Sequence, residues 1–191
     1  MNAAIVSTWV WLALEVALRV RDRLRSKGST EHDRGTRLTI VLLVAVAVNG
    51  AVAVAAFLPA TSVFQLPGRS HLPWEIAGLA IMWLGLVVRV WAIAVLGSSF
   101  RTTVEVDSDQ TVVDRGPYRW VRHPSYTGVL LITTGLGLAA GNWLSLLIAV
   151  ALPVYALSRR IDVEERALVE TLGRPYQTYR AGTKRLVPGV W

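Results

Sequence analysis

The 191-residue chain contains no cysteine. Disulfides, thiolate nucleophiles and cysteine-ligated metals are thereby excluded. Its three histidines, His32, His71 and His123, stand far apart without ligand spacing, so no dedicated zinc site is expected. Charge is also scarce. Asp, Glu, Lys and Arg make up 17% of the residues, against about 25% in soluble globular proteins. There is no Gly-x-Gly-x-x-Gly run, no internal repeat and no low-complexity segment, so the sequence signature of a Rossmann site is missing.

What is abundant is apolar surface. The chain is 53% hydrophobic, carries eight tryptophans and has a positive mean hydropathy. Its length suits one domain or one compact bundle. A net charge of +7 would suggest nucleic acid in a soluble protein, but the placement of that charge points to a membrane and no nucleic-acid partner is expected.

The first apolar run, Ala3 to Val20, is interrupted by Glu15 and ends at Arg19, and it meets the ~20 residues a spanning helix needs. Its basic residues follow the run, the reverse of a signal peptide, so a retained span is expected. Glu15 and Arg19 are spaced to pair near its end. Further spans are expected at about Leu38–Leu58, ending at Pro59, and Trp74–Leu96, with Arg89 inside it. The apolar stretch 127–157 is too long for one span and is broken at Gly141-Asn142, both turn formers. It reads as an antiparallel helical hairpin, about Ser125–Ala140 and Trp143–Leu157. A polar tail from Ser158 to Trp191 follows, its first part helical.

The expected fold is therefore an all-α integral membrane protein of about five transmembrane helices. Three N-terminal spans occupy 1–96, and a second region, 97–191, carries the hairpin and most of the polar residues. Of the 20 Lys and Arg, 18 lie in segments 19–37, 97–126 and 158–191, seven, four and seven in turn. The positive-inside rule puts those segments in the cytoplasm and the N-terminus outside. Arg89 is costly to place against lipid; it either lines a cavity or snorkels to the interface, and snorkelling is favoured slightly.

The candidate site follows from the hairpin. Two polar segments, 110–128 and 159–179, bracket it, and a hairpin returns the chain to the side it left, so they are neighbours at one membrane face. In the second, Arg160 and Glu164 are spaced i, i+4 with Leu168 one turn on, which places them on one helix face. They are either an ordinary surface pair or part of a site. In the first, Gly116-Pro117 and Pro124 mark turns. Tyr118, Trp120 and Tyr126 suit either an interfacial belt or a binding surface, and Arg115, Arg119 and Arg122 are explained mainly as cytosolic-side charge.

Three runs carry a resemblance: Gly116-Pro117-Tyr118, Arg122-His123-Pro124-Ser125-Tyr126-Thr127-Gly128, and Glu164-Glu165-Arg166-Ala167-Leu168. Together they resemble the isoprenylcysteine carboxyl methyltransferase family, within a wider group of phospholipid methyltransferase-like membrane proteins. Gly173-Arg174-Pro175-Tyr176-Gln177-Thr178-Tyr179 is similar to the family's C-terminal Gly-x-x-Tyr-x-x-Tyr pattern. The likeness covers roughly 97–191.

The resemblance implies an S-adenosylmethionine-dependent methyltransferase with its cofactor pocket at the cytosolic face, formed by the 97–126 segment and the C-terminal tail. By matching position, the pocket takes in Val112, Val113, Tyr118, His123, Pro124, Ser125, Tyr126 and Glu164. Arg160 matches a substrate-side arginine and, with Glu164, carries the catalytic assignment. No metal is implied. Gln110 and Thr111 depart from a His-Val-like start to the cofactor run, and Thr103 stands where a glutamine can contact the cofactor. The expected acceptor is a prenylated cysteine-like or other lipidic carboxylate reached from the membrane lipids. An N-methyltransferase of phospholipid amines is the alternative enzyme, and a small transporter or scaffold the non-enzymatic one. Oligomeric state is not readable.

Overall fold

Each of the five apolar runs becomes a helix, in the expected order. The computed structural model describes residues 2–25, 36–58, 64–68, 70–97 and 111–191. The helices are α1 (Asn2–Arg25), α2 (Thr36–Phe57), α3 (Leu72–Leu96), α4 (Pro124–Ala139), α5 (Trp143–Leu172) and α6 (Arg174–Gly182), with a 3-10 turn at Gly116–Arg119. Among the described residues β pairing is confined to two isolated bridges. Three of the helices, α2, α3 and α5, are long and apolar enough to cross a membrane. The apolar part of α1, Ala3–Leu18, and the 16-residue α4 are shorter. Large apolar side chains such as Trp9, Val46, Val87 and Leu147 are exposed on the outer faces, as a lipid-facing surface requires.

The hairpin forms where the turn chemistry puts it. Gly141 has φ of +68°, the left-handed region that glycine occupies without a Cβ clash. Asn142 then caps α5, its Oδ1 accepting from the backbone N–H groups of Leu144 and Ser145. The turn is pinned from outside by the 64–66 segment, with Leu66 N–H donating to Gly141 O and Trp143 N–H to Phe64 O. The helical first part of the tail continues the second hairpin helix, so that α5 runs unbroken to Leu172, because nothing between Ser158 and Leu172 breaks a helix until Gly173.

α3 and α4 share the largest helix interface, and glycines set its distance. A Cβ on Gly78 would lie 2.5 Å from Gly135 O, and one on Gly85 would lie 2.7 Å from Gly128 O. The two pairs are seven residues apart on both helices, two turns, and run antiparallel. Small residues let membrane helices approach until backbone meets backbone. Met82, Leu86, Val129 and Ile132 fill the space around this seam, joined by Trp11 and Leu157. On the other side, Ala47 and Ala51 of α2 are fully buried and Ser145 Oγ of α5 donates to Ala51 O.

α1 docks through one stripe, Ser7, Trp11, Glu15 and Leu18, all buried and spaced along one helix face. It meets α3 and α4, while α2 meets α5 and α4. Between α1 and α2 direct contact is at most slight, which leaves a groove between them. Arg122, Arg180 and Arg185 gather at one end of the bundle, where α3 ends and α4 begins; the Gly141 turn marks the other.

Gly135→Ala is expected to destabilise the protein by about 1–3 kcal/mol through overpacking, since its Cβ would collide with Gly78 O. Gly182→Ala, with open space around it, serves as the control. Thermal unfolding of both variants in detergent is the check.

Candidate functional site

A cavity of about 870 Å³ runs from the groove between α1 and α2 to the basic end of the bundle. Its length is lined mostly by apolar residues of α1, α2, α4 and α5 with Glu15 and Arg89 among them, its basic end by polar and aromatic residues, and the end near the Gly141 turn by Gln65, His71 and Glu75. Eight of the nine residues expected from sequence line it: Val112, Val113, Tyr118, His123, Ser125, Tyr126, Arg160 and Glu164. Pro124 does not; it is fully buried as the first residue of α4, where its fixed φ suits the first helical turn. Thr111 and Leu168 also face the cavity. Thr103 and Gln110 lie outside the described residues.

The α5 wall is made by Arg160, Glu164, Leu168 and Leu172, one residue per turn along a single face. Arg160 is buried rather than one half of a surface pair. Tyr126, one turn into α4, lies between the two charges, its hydroxyl donating to Glu164 Oε2 at 2.7 Å with Arg160 also at its side. The His123 and Tyr126 rings stack with centroids 5.7 Å apart. Tyr118 sits beneath them, buried, its hydroxyl reaching Ala92 O at 3.4 Å. Burial, reinforced by the Glu164 carboxylate, pushes the Tyr118 phenol well above its ordinary range, so it stays a neutral donor.

What holds these residues in place is Glu165, which sequence reasoning left without a role. Its side chain is 3% exposed and faces away from the cavity into a ring of cations. Arg122 Nε donates to Oε1 at 2.8 Å, His123 Nε2 lies 3.3 Å from the same oxygen, and Arg185 donates to Oε2 at 3.3 Å. Arg180 Nε stands 3.5 Å from Oε2. Arg122 is therefore not simply membrane-surface charge. It also donates to the carbonyls of Arg180 and Thr183, tying the loop before α4 to the chain's last turn. The backbone completes the clamp, with Arg122 N–H donating to Lys184 O and His123 N–H to Arg185 O. Tyr179 adds a hydroxyl donating to Tyr118 O at 2.6 Å, and burial pushes its phenol up to about 12. Arg119 keeps a surface role, stacked over Trp120 at 4.4 Å.

The second correction concerns Arg89, which does not snorkel. It is 6% exposed, with Nε 2.6 Å from Glu15 Oε1 and Nη2 donating to Glu15 Oε2 at 3.0 Å. Nη1 donates to both the carbonyl and the hydroxyl of Ser125. Trp11 Nε1 donates to Glu15 as well. A charge in an apolar bundle is retained where it is paired and hydrogen-bonded, and here one guanidinium joins α1, α3 and the start of α4. The expected Glu15–Arg19 pairing rests on the Arg19 side chain, which lies outside what the structure describes. The signal for Glu15–Arg89 was present, the one acid of the first span and the one base of the third, but 74 residues separate them.

The Isoprenylcysteine carboxyl methyltransferase (ICMT) family profile matches residues 78–170, which takes in most of α3, all of α4, the segment between them and nearly all of α5. The chain is similar to this family over those residues, just under half of its length. It is 32% identical over 136 residues to the protein-S-isoprenylcysteine O-methyltransferase of Tribolium castaneum, covering 66% of this chain and 46% of that one. The Saccharomyces cerevisiae protein-S-isoprenylcysteine O-methyltransferase is 36% identical over 107 residues, 55% of this chain and 45% of its own. The chain thus spans about half the length of these curated relatives. Among solved structures it is similar to a eukaryotic intramembrane Ras methyltransferase, ICMT, with a TM-score of 0.63 and 28% identity over 78% of this chain and 52% of that one.

Two outcomes test the supporting networks. Arg89→Leu strands a buried Glu15 and is expected to cost about 3–5 kcal/mol, whereas Glu15→Leu together with Arg89→Leu costs much less; denaturation in detergent reads the difference. The Tyr179 phenol titrates higher in the folded protein than its ordinary value of 10.0. Its contribution to stability is therefore complete below about pH 10 and lost as pH rises toward 12, which protease release of the last 18 residues across that range will show.

Proposed function

We propose that the chain is a multi-pass membrane methyltransferase that uses S-adenosylmethionine and methylates a carboxylate on a prenylated cysteine-like or other lipidic acceptor. The observation that carries this reading is the cavity itself. One continuous space joins an apolar groove open between α1 and α2 to a polar pocket holding Glu164, His123, Tyr126 and buried Arg160. Its volume suits small-molecule sites of about 300–1,000 Å³. The two regions 1–96 and 97–191 divide the work in this reading, the first forming much of the groove and the second the pocket. The basic end faces the cytosol and the N-terminus lies outside, in line with the positive-inside rule.

The donor set fits the cofactor. Its cationic groups suit the Glu164 carboxylate and the stacked faces of His123 and Tyr126, since aromatic faces attract cations by about 0.5–2 kcal/mol. Val112 and Val113 offer apolar contact. When bound, the cofactor supplies an electrophilic methyl group on a sulfonium. Arg160 holds an acceptor carboxylate by a charge-assisted pair. That carboxylate is ionised at neutral pH, so no general base is required of the protein. The residues contribute proximity and orientation, and the closed α4–α5 wall excludes water. Arg160 also weighs against an amine acceptor, because a fixed buried cation disfavours a second one beside it.

Glu164→Ala is expected to abolish binding of S-adenosylhomocysteine in detergent, read by calorimetry. Arg160→Ala is expected to leave that binding intact and to cut transfer of a labelled methyl group by 100-fold or more, on the order of one lost charged contact of about 3 kcal/mol. Base-labile label on prenylcysteine analogues or fatty acids identifies a carboxyl ester. Base-stable label on phospholipid amines would overturn the acceptor class.

A further inference from the structure

Four tyrosines surround the basic end of the cavity, and three have a hydroxyl partner. Tyr118 donates to Ala92 O, Tyr126 to Glu164 and Tyr179 to Tyr118 O. Tyr176 has none. It is 4% exposed, it lines the cavity, and its hydroxyl is sealed from solvent without a hydrogen-bond partner among the described residues. A buried unsatisfied hydroxyl costs about 1–3 kcal/mol, and native proteins retain few of them. Burial, then the Glu165 and Glu164 carboxylates, push its phenol up, so it is held as a protonated donor.

Its placement is equally specific. Gly173, at φ of +60°, ends α5 and turns the chain so that α6 folds back beside it. Pro175 occupies the first turn of α6, and Tyr176 follows at once. The Tyr176 ring packs at 6.0 Å from Tyr179, whose hydroxyl is already committed to the loop. α6 is thus anchored by one tyrosine and presents the other to the cavity. The same cavity is lined by Leu168 and Leu172 from α5 and by Val112 and Val113 from the opposite segment, so it offers apolar walls together with this tyrosine, a combination that suits a planar heteroaromatic or sugar edge.

We propose that Tyr176 is a further ligand-binding residue of this cavity, its hydroxyl donating a hydrogen bond to the nucleoside half of the adenosyl cofactor. This rests on the cofactor reading above. It also gives the Gly-x-x-Tyr-x-x-Tyr run two distinct duties, a ligand donor at Tyr176 and a structural latch at Tyr179.

Tyr176→Phe separates this from a structural role. In the ligand-free protein in detergent the substitution removes an unpaired hydroxyl, so the melting temperature is expected to stay unchanged or rise. Binding of S-adenosylhomocysteine, by calorimetry, is expected to weaken roughly 3- to 10-fold, the worth of one neutral hydrogen bond. 5′-Methylthioadenosine, which lacks the amino-acid part, is expected to weaken by the same factor. A fall in ligand-free stability overturns the proposal, because the hydroxyl then has a partner within the protein. Unchanged affinity for S-adenosylhomocysteine overturns it too, and unchanged affinity for methylthioadenosine alone overturns the assignment to the nucleoside half. If the unsubstituted protein binds neither compound, the cofactor reading itself fails, which is a different result from wild-type binding that Tyr176→Phe leaves intact.

Discussion

The site depends on one buried carboxylate. Glu165 gathers Arg122, His123, Arg180 and Arg185 around two oxygens, and those four residues come from the loop before α4 and from the chain's last turns. Taking a carboxylate out of water is unfavourable unless it is paired and hydrogen-bonded. The folded chain meets that requirement only when α5, the loop and the C-terminal segment are all in place. The same contacts orient what lies next to them. His123 is held from its Nε2 side, so its ring stacks on Tyr126, and Tyr126 in turn meets Glu164. Adjacent acids on one helix therefore take opposite jobs, Glu165 facing the clamp and Glu164 facing the cavity.

A second constraint acts within the apolar bundle. The two glycine pairs between α3 and α4 bring backbones into contact, and this closeness sets the reach of Arg89. A Cβ on Gly128 would lie 2.8 Å from Arg89 Cβ, so the arginine emerges directly against the start of α4 and bonds Ser125. Its other side takes Glu15 from α1. α1 is thereby held to α3 and α4 and kept off α2, and the groove that opens between them leads to the polar pocket. In the proposed function that groove is where a lipid chain lies, with the cofactor pocket at its basic end.

The two constraints meet at residues 122–126. Arg122 and His123 face the clamp, Ser125 faces the buried arginine, and Tyr126 faces the cavity with His123 stacked on it. Five consecutive residues thus serve three surroundings. A loop entering a helix allows this: His123 precedes the helix with a non-helical backbone, and the first helical turn then fans its side chains in different directions.

Much of this was legible in the chain itself. Apolar runs of 15 to 23 residues specify helices because backbone groups in lipid must bond within their own segment. Gly141-Asn142 specifies the hairpin because only such residues turn and cap so tightly. The i, i+4 spacing of Arg160 and Glu164 put them on one face, and the return of a hairpin put that face beside residues 112–126. These are local rules with one answer each. Arg122, Arg89 and Tyr176 needed the tertiary structure. An arginine in a membrane protein is equally suited to a membrane surface and to a buried carboxylate, and the choice between them rests on partners 43 and 74 residues away. Tyr176 and Tyr179 are indistinguishable in the sequence, three residues apart in one pattern. Only packing decides that one hydroxyl finds a carbonyl and the other is buried without a partner among the described residues, because a hydrogen bond depends on distance and direction in space and not on separation along the chain.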